Sequence, residues 1–365
     1  MLIKRLFNPH NYIHLLKYMC VGVLLLNLVA CGSSSNDLIG NWVSDYDVEP
    51  GGRTNAVSVS VDNMGYFGTG YNFSDKTRYN DWWKYDPDTN AYTQLADFPG
   101  VARSGAVAFE CGGDIYVGSG YNGDVTPNRL NDFYKYSIAD SLWSEIDDFP
   151  GEARDGAVAF TVNNKGYVGT GMAANTVYLK DFYCYDPSTS KWTTSTSFGG
   201  TQRTESVSFV IDNVAYVVTG KKSATVYDFW KYDGKKYPDI VKWEKLSDIY
   251  DTNPDKSYDD DYDDIIRYGG VAFVSGDKGY KKGYVTTGVS GVSGGTGNVT
   301  WEYNPSDDTW DEKTGFEGSS RGGAVSFSLN DIGYVLTGSG TSDIWSFDPH
   351  AEQANDDNGS TVFNH

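Results

Sequence analysis

RSGAVAF at 103–109, RDGAVAF at 154–160, RTESVSF at 203–209 and RGGAVSF at 321–327 are four copies of one segment. Each places an arginine ahead of a short run whose apolar residues alternate, the period of two that specifies a strand. Arginine recurs in the same setting at Arg53 and Arg267, so six units follow one another along the chain. Thirteen residues after five of these arginines stands a tyrosine (Tyr66, Tyr116, Tyr167, Tyr216, Tyr334), and four further on a glycine (Gly70, Gly120, Gly171, Gly220, Gly338). The fifth unit carries the same run at Tyr284–Gly288, displaced by four residues. An aromatic segment comes next: DWWKYDP from Asp81, DFYKYS from Asp132, DFYCYDP from Asp181, DFWKYD from Asp228, TWEYNP from Thr300 and DIWSFDP from Asp343. A last segment carries Tyr92, Trp143, Trp192, Trp243 or Trp310.

Each unit reads as four short strands. Turns such as DPDTN (86–90) and DPSTS (186–190) separate them, with proline presetting φ and Asp or Asn bonding its own backbone. Four strands in a repeat of this length indicate the blades of a β-propeller. The sixth unit lacks its fourth strand, and the missing piece stands at the other end of the chain. Trp42 lies eleven residues before Arg53, the same interval that separates Tyr92 from Arg103 and Trp143 from Arg154. Pairing residues 38–46 with the last blade closes the ring and removes an exposed sheet edge. The expectation is therefore an all-β, six-bladed propeller over 38–350. Its blades fall at about 53–97, 102–147, 153–197, 202–247, 266–314 and 321–348 plus 38–46, followed by a disordered polar tail at 351–365.

The Arg-led strand, the Tyr-x-x-x-Gly strand, the aromatic-Tyr-Asp-Pro strand and the terminal tryptophan together resemble Kelch repeats, recurring six times in phase. Where Kelch strands usually carry Gly-Gly, this chain has Thr-Gly or Ser-Gly (Thr69-Gly70, Ser119-Gly120, Thr337-Gly338). The second glycine, which permits close backbone approach, is kept.

Residues 1–30 read as a processing signal: Lys4, Arg5 and Lys17 lead an apolar run from Tyr18 to Ala30, too short to span a bilayer. The run ends in LVAC, which resembles the lipobox of bacterial lipoproteins and implies a diacylglyceryl group on Cys31. Residues 31–37 would then be a flexible tether, and the chain a lipid-anchored monomer of the bacterial cell envelope, with the outer membrane as its expected site. Of the other cysteines, Cys20 leaves with the leader, while Cys111 and Cys184 lie in different repeats without metal-ligand spacing, as structural thiols.

The formal net charge of -20 repels polyphosphate and argues against a nucleic-acid partner. Histidine occurs only at 10, 14, 350 and 365, outside the blades. That removes the copper site of galactose oxidase, a Kelch-type enzyme, and every histidine-based acid/base or nucleophile scheme.

The remaining candidates cluster on one face, where the loops before the first strand and between the second and third strands open. Arg53, Arg103, Arg154, Arg203, Arg267 and Arg321 would surround the channel mouth there, either as anion receptors or as braces between neighbouring blades. Tyr71 and Tyr121 supply flat aromatic groups suited to sugars or peptides. Glu205 replaces the glycine found at Gly105, Gly156, Gly269 and Gly323, and would act as an acid/base group or pair with Arg203 or an adjacent arginine. In the insertion before the fifth blade, Asp251, Asn253 and Asp255 start like a calcium loop, but Lys256 and Tyr262 stand where Gly and Glu are expected. No other cofactor is expected. These features favour a non-catalytic lipoprotein that binds a protein or glycan through its loop-rich face. The alternative is an enzyme similar to sialic acid mutarotases, which are exported six-bladed Kelch proteins using carboxylate and arginine groups.

Overall fold

In the computed structural model, described over residues 38–234, 243–250, 262, 265–276 and 280–352, six four-stranded antiparallel sheets form a six-bladed β-propeller. Blade one contains Val57–Val61, Met64–Gly68, Trp82–Asp86 and Ala91–Gln94 in order from the channel outward, and the next four blades repeat that order. In five of the six blades the first two strands are joined by two-residue hairpin turns. Asp62-Asn63, Gly112-Gly113, Asn163-Asn164, Asp212-Asn213 and Asn330-Asp331 all have positive φ at both positions, as a type I′ turn demands.

The ring closes across the chain termini. Strand Ile39–Asp47 pairs antiparallel with Asp343–Glu352, with Trp42 opposite Phe347 and Ser44 opposite Trp345. Trp42 is fully buried among Phe273, Phe316 and Phe347, and its indole N–H donates to the Thr314 carbonyl. The last strand reaches Glu352, four residues past the expected end of blade six at 348 and two into what sequence alone reads as tail, so His350, expected outside the blades, stands exposed near the end of that strand. The leader, the tether, Cys31 and the calcium candidates Asp251, Asn253 and Asp255 lie outside the described residues.

The arginines occupy a different place from the open ring of receptors suggested above. All six are buried, Arg267 at 2% exposure and the others at 0%. Arg53 forks onto Asp81 at 2.6 and 2.8 Å and donates to the Thr69 carbonyl; Arg103 does the same with Asp132 and Ser119, Arg154 with Asp181 and Thr170, and Arg321 with Asp343 and Thr337. Arg203 bonds Asp228. In blade five Val299 stands where the others have aspartate, and Arg267 donates to the carbonyls of Val299 and Thr287. Each guanidinium thus ties the start of the first strand to the second and third strands of its own blade. Blades are joined instead through backbone: the N–H of Gly70, Gly120, Gly171, Gly220, Gly288 and Gly338 donates to the carbonyl of the next blade's arginine, 2.7–2.8 Å away.

These glycines have φ between 89° and 104°, which only glycine adopts readily. The residue before each, Thr69, Ser119, Thr170, Thr219, Thr287 or Thr337, has φ near 60°, a left-handed value that a residue with a side chain adopts at a cost of roughly 1–2 kcal/mol, β-branched threonine toward the upper end. That is why Thr-Gly can stand in for Gly-Gly. Cys111 and Cys184 are buried and unbridged, and burial, then the Glu110 charge, pushes the Cys111 thiol up to about 12.

Candidate functional site

Two residues after each arginine the backbone turns into the left-handed region, at Asn55, Gly105, Gly156, Glu205, Gly269 and Gly323, with φ from 51° to 66°. The six residues form a closed circle of hydrogen bonds. Asn55 N–H donates to Gly323 O, Gly105 to Asn55, Gly156 to Gly105, Glu205 to Gly156, Gly269 to Glu205 and Gly323 to Gly269, all at 2.8–3.0 Å. This circle frames one mouth of a central channel of about 690 Å³, whose walls begin at Ala56, Ala106, Ala157, Ser206, Gly270 and Ala324. Four members have no side chain, so a ligand can approach bare backbone. The two that do, Asn55 and Glu205, belong to blades one and four and therefore stand on opposite sides of the mouth.

Glu205 pairs with Lys221 at 3.0 Å, not with Arg203, whose charge is spent on Asp228. Lys221 follows the Thr219-Gly220 turn and is anchored by reciprocal backbone bonds with Thr204. Its ammonium sits 3.8 Å from the centre of the Tyr268 ring on blade five, a cation–π contact. On the neighbouring side, Asp155 accepts from Arg129 Nε at 2.5 Å. Burial raises the Asp155 carboxyl; the charge and hydrogen bond of Arg129 oppose that, and the Glu205 charge adds to it. Further round, the Arg78 guanidinium lies over Tyr71 (4.7 Å) and Tyr121 (5.1 Å), and Arg129 over Tyr121 (5.6 Å). Phe73, largely exposed, packs edge-on against Tyr71. In a chain of net charge -20, this face gathers Arg78, Arg129 and Lys221, each paired with a carboxylate: Asp124 at 3.4 Å, Asp155 at 2.5 Å and Glu205 at 3.0 Å.

Of the residues singled out in the sequence, Glu205, Tyr71 and Tyr121 meet at this face, while the six arginines lie buried beneath it. Asp155, Lys221, Arg78 and Tyr268 were missed. Asp155 did leave a mark, being the one acid directly after a repeat arginine.

No family model matches the chain. Over 98 residues it is 32% identical to the N-acetylneuraminate epimerases of Shigella sonnei (strain Ss046) and Escherichia coli (strain K12), covering 26% of this chain and 27% of each relative. The chain thus aligns with about a quarter of the length of the curated relatives it matches. Among solved structures, one titled "Structure of YjhT" superposes with a TM-score of 0.65 at 17% identity, over 81% of this chain and 94% of that one. At that identity the likeness is one of fold.

Proposed function

We propose that this chain is a Kelch-type propeller enzyme that interconverts the anomers of an N-acetylneuraminate-like sugar acid at the channel mouth. The observation that carries the reading is Glu205: a carboxylate at a left-handed position where four of six repeats use glycine, beside an ammonium group at 3.0 Å. Holding glutamate there costs about 1 kcal/mol of backbone strain, and strain of that kind gathers at functional sites.

Anomer exchange needs modest chemistry. Glu205 takes the proton of the anomeric hydroxyl, the ring C–O bond breaks, and the ring oxygen is protonated; reclosure on the other face of the carbonyl reverses each transfer. Lys221 holds the Glu205 side chain in place, and Arg78, whose partner Asp124 is 81% exposed, offers a guanidinium to the carboxylate of an acid sugar. The partial similarity to N-acetylneuraminate epimerases supports the same substrate class. We place the enzyme in the cell envelope, tethered through Cys31, with palmitate labelling of wild type against Cys31→Ser as the check.

Proton NMR of freshly dissolved N-acetylneuraminate, with and without the protein, tests the activity. Faster approach to anomeric equilibrium supports it. Saturable binding without acceleration would return the molecule to a glycan-binding role, a reading favoured by the aromatic–cation row of Tyr71, Arg78 and Tyr121. The absence of both acceleration and saturable binding would remove both readings.

A further inference from the structure

We propose that Asp155 is the acid partner of Glu205, the two carboxylates on adjacent blades dividing the proton transfers of ring opening between them. The assignment rests on the reading of Glu205 as the base, and goes beyond it by naming the group that protonates the ring oxygen.

The placement comes from the circle of hydrogen bonds. Glu205 N–H bonds Gly156 O at 2.8 Å, and Asp155 immediately precedes Gly156, so the two acids flank one glycine of the circle. Both carboxylates lie over bare backbone. A side chain begun at Gly105 would meet Asp155 Oδ2 at 3.9 Å, and one begun at Gly269 would meet Glu205 Oε2 at 3.6 Å. Arg129 holds Asp155 by Oδ1 and is itself fixed by a 2.9 Å bond to the Met172 carbonyl. The one side-chain bond to this carboxylate among the described residues falls on Oδ1, and a hydrogen bond from its own backbone N–H adds to it.

The two carboxylates sit in different surroundings. Glu205 has an ammonium group at 3.0 Å and its side chain is 35% exposed. Asp155 is more enclosed, at 23% exposure, and its carboxyl is raised by burial against the pull of Arg129. The charged groups facing Asp155 are Arg129 from blade two and Glu205 from blade four, the latter carrying Lys221. As Glu205 removes the anomeric proton, the ring oxygen receives the electron pair of the broken C–O bond and a proton from Asp155. On reclosure Asp155 recovers that proton and Glu205 returns its own to the carbonyl oxygen. No co-reactant is consumed.

The test is kcat and KM for N-acetylneuraminate anomerisation across pH, in wild type, Asp155→Asn, Glu205→Gln and Arg129→Met. Asparagine keeps the acceptor for Arg129 but has no proton to give. Asp155→Asn should lower kcat on the order of 100-fold with KM within about threefold, and abolish the decline of rate at rising pH. Arg129→Met removes the cation that lowers the Asp155 carboxyl, so the alkaline limb should move to higher pH. A folded Asp155→Asn with a wild-type profile, while Glu205→Gln is inactive, overturns the role of Asp155 alone. If Asp155→Asn does not fold, an unshifted limb in Arg129→Met overturns it. An inactive wild type takes the Glu205 reading down as well.

Discussion

The ring of Phe109, on the inner strand of blade two, occupies the space a side chain on Gly166 would need in blade three. The same complementarity runs around the propeller. Phe209 faces Gly283, Phe273 faces Gly333, and Phe327 faces Gly65, while Phe160 packs with small Ala215. In blade one Val59 replaces phenylalanine, and the cluster it packs against carries Ile115 of blade two in place of glycine. Neighbouring blades are thus fitted by paired volumes, large against absent or medium against medium.

Gly166→Ile alone should therefore overpack the junction and cost about 1–3 kcal/mol in chemical denaturation. Adding Phe109→Val should recover much of that loss, giving a coupling energy of at least about 0.5 kcal/mol in a double-mutant cycle. Strictly additive losses would show that the two sites do not share one cavity.

Arg321→Met should destabilise the fold by about 2–3 kcal/mol, the low side of a broken buried pair, since Asp343 keeps 27% of its side chain in water. The loss should depend on pH. Burial alone would raise the Asp343 carboxyl, but hydrogen bonds from Arg321 and the Trp345 indole, with the Arg321 charge, hold it below 3.8. A carboxyl lower in the folded than in the unfolded chain contributes stability above about pH 3.8 and loses it as pH falls through the folded value. Unfolding midpoints of wild type should thus fall on acidification below that point, and those of the variant should fall less. Anomerisation by the folded variant should be unchanged; a raised KM would place this guanidinium in contact with substrate.

Much of this architecture was legible in the chain because repetition exposes it. The interval from Trp42 to Arg53 predicted closure, and glycine elsewhere at its position made Glu205 visible. What the repeat could not show is who meets whom around the mouth. Lys221 and Tyr268, or Arg129 and Asp155, lie in different units, and only the curvature of the closed ring brings them together. The arginines misled for a related reason: a charge placed at the start of every inner strand looks as if it faces the channel, but the aspartate heading the third strand draws it inside the blade. Asp81, Asp132, Asp181, Asp228 and Asp343 were in view as part of the aromatic segment, without a partner to explain them.

Trp42→Ala should cost about 3–5 kcal/mol, since it empties a site at 0% exposure and strips three aromatic contacts from the seam between the termini. Limited proteolysis should then cut near residue 40 before any other blade opens. Equal protection of that segment in the variant would mean that closure does not depend on this side chain.

Glu205→Gly and Glu205→Gln separate what the residue does from what it costs. Glycine adopts the φ of 54° freely, so Glu205→Gly should keep the circle of hydrogen bonds and raise the unfolding free energy by up to about 1 kcal/mol, less what the Lys221 pair contributes. Because that pair is about a third exposed on both sides, its contribution should be under about 1 kcal/mol, and the net change close to zero or favourable. Glutamine keeps the strain and the shape but cannot accept a proton, so Glu205→Gln should be no more stable than wild type. Both variants should lose anomerisation by a factor on the order of 100 or more. A molecule that is as stable or more stable without this carboxylate, yet inactive, is what a strained catalytic residue requires. If Glu205→Gly instead unfolds at markedly lower denaturant, the glutamate is there to hold blades four and five together, and the catalytic reading loses its main support.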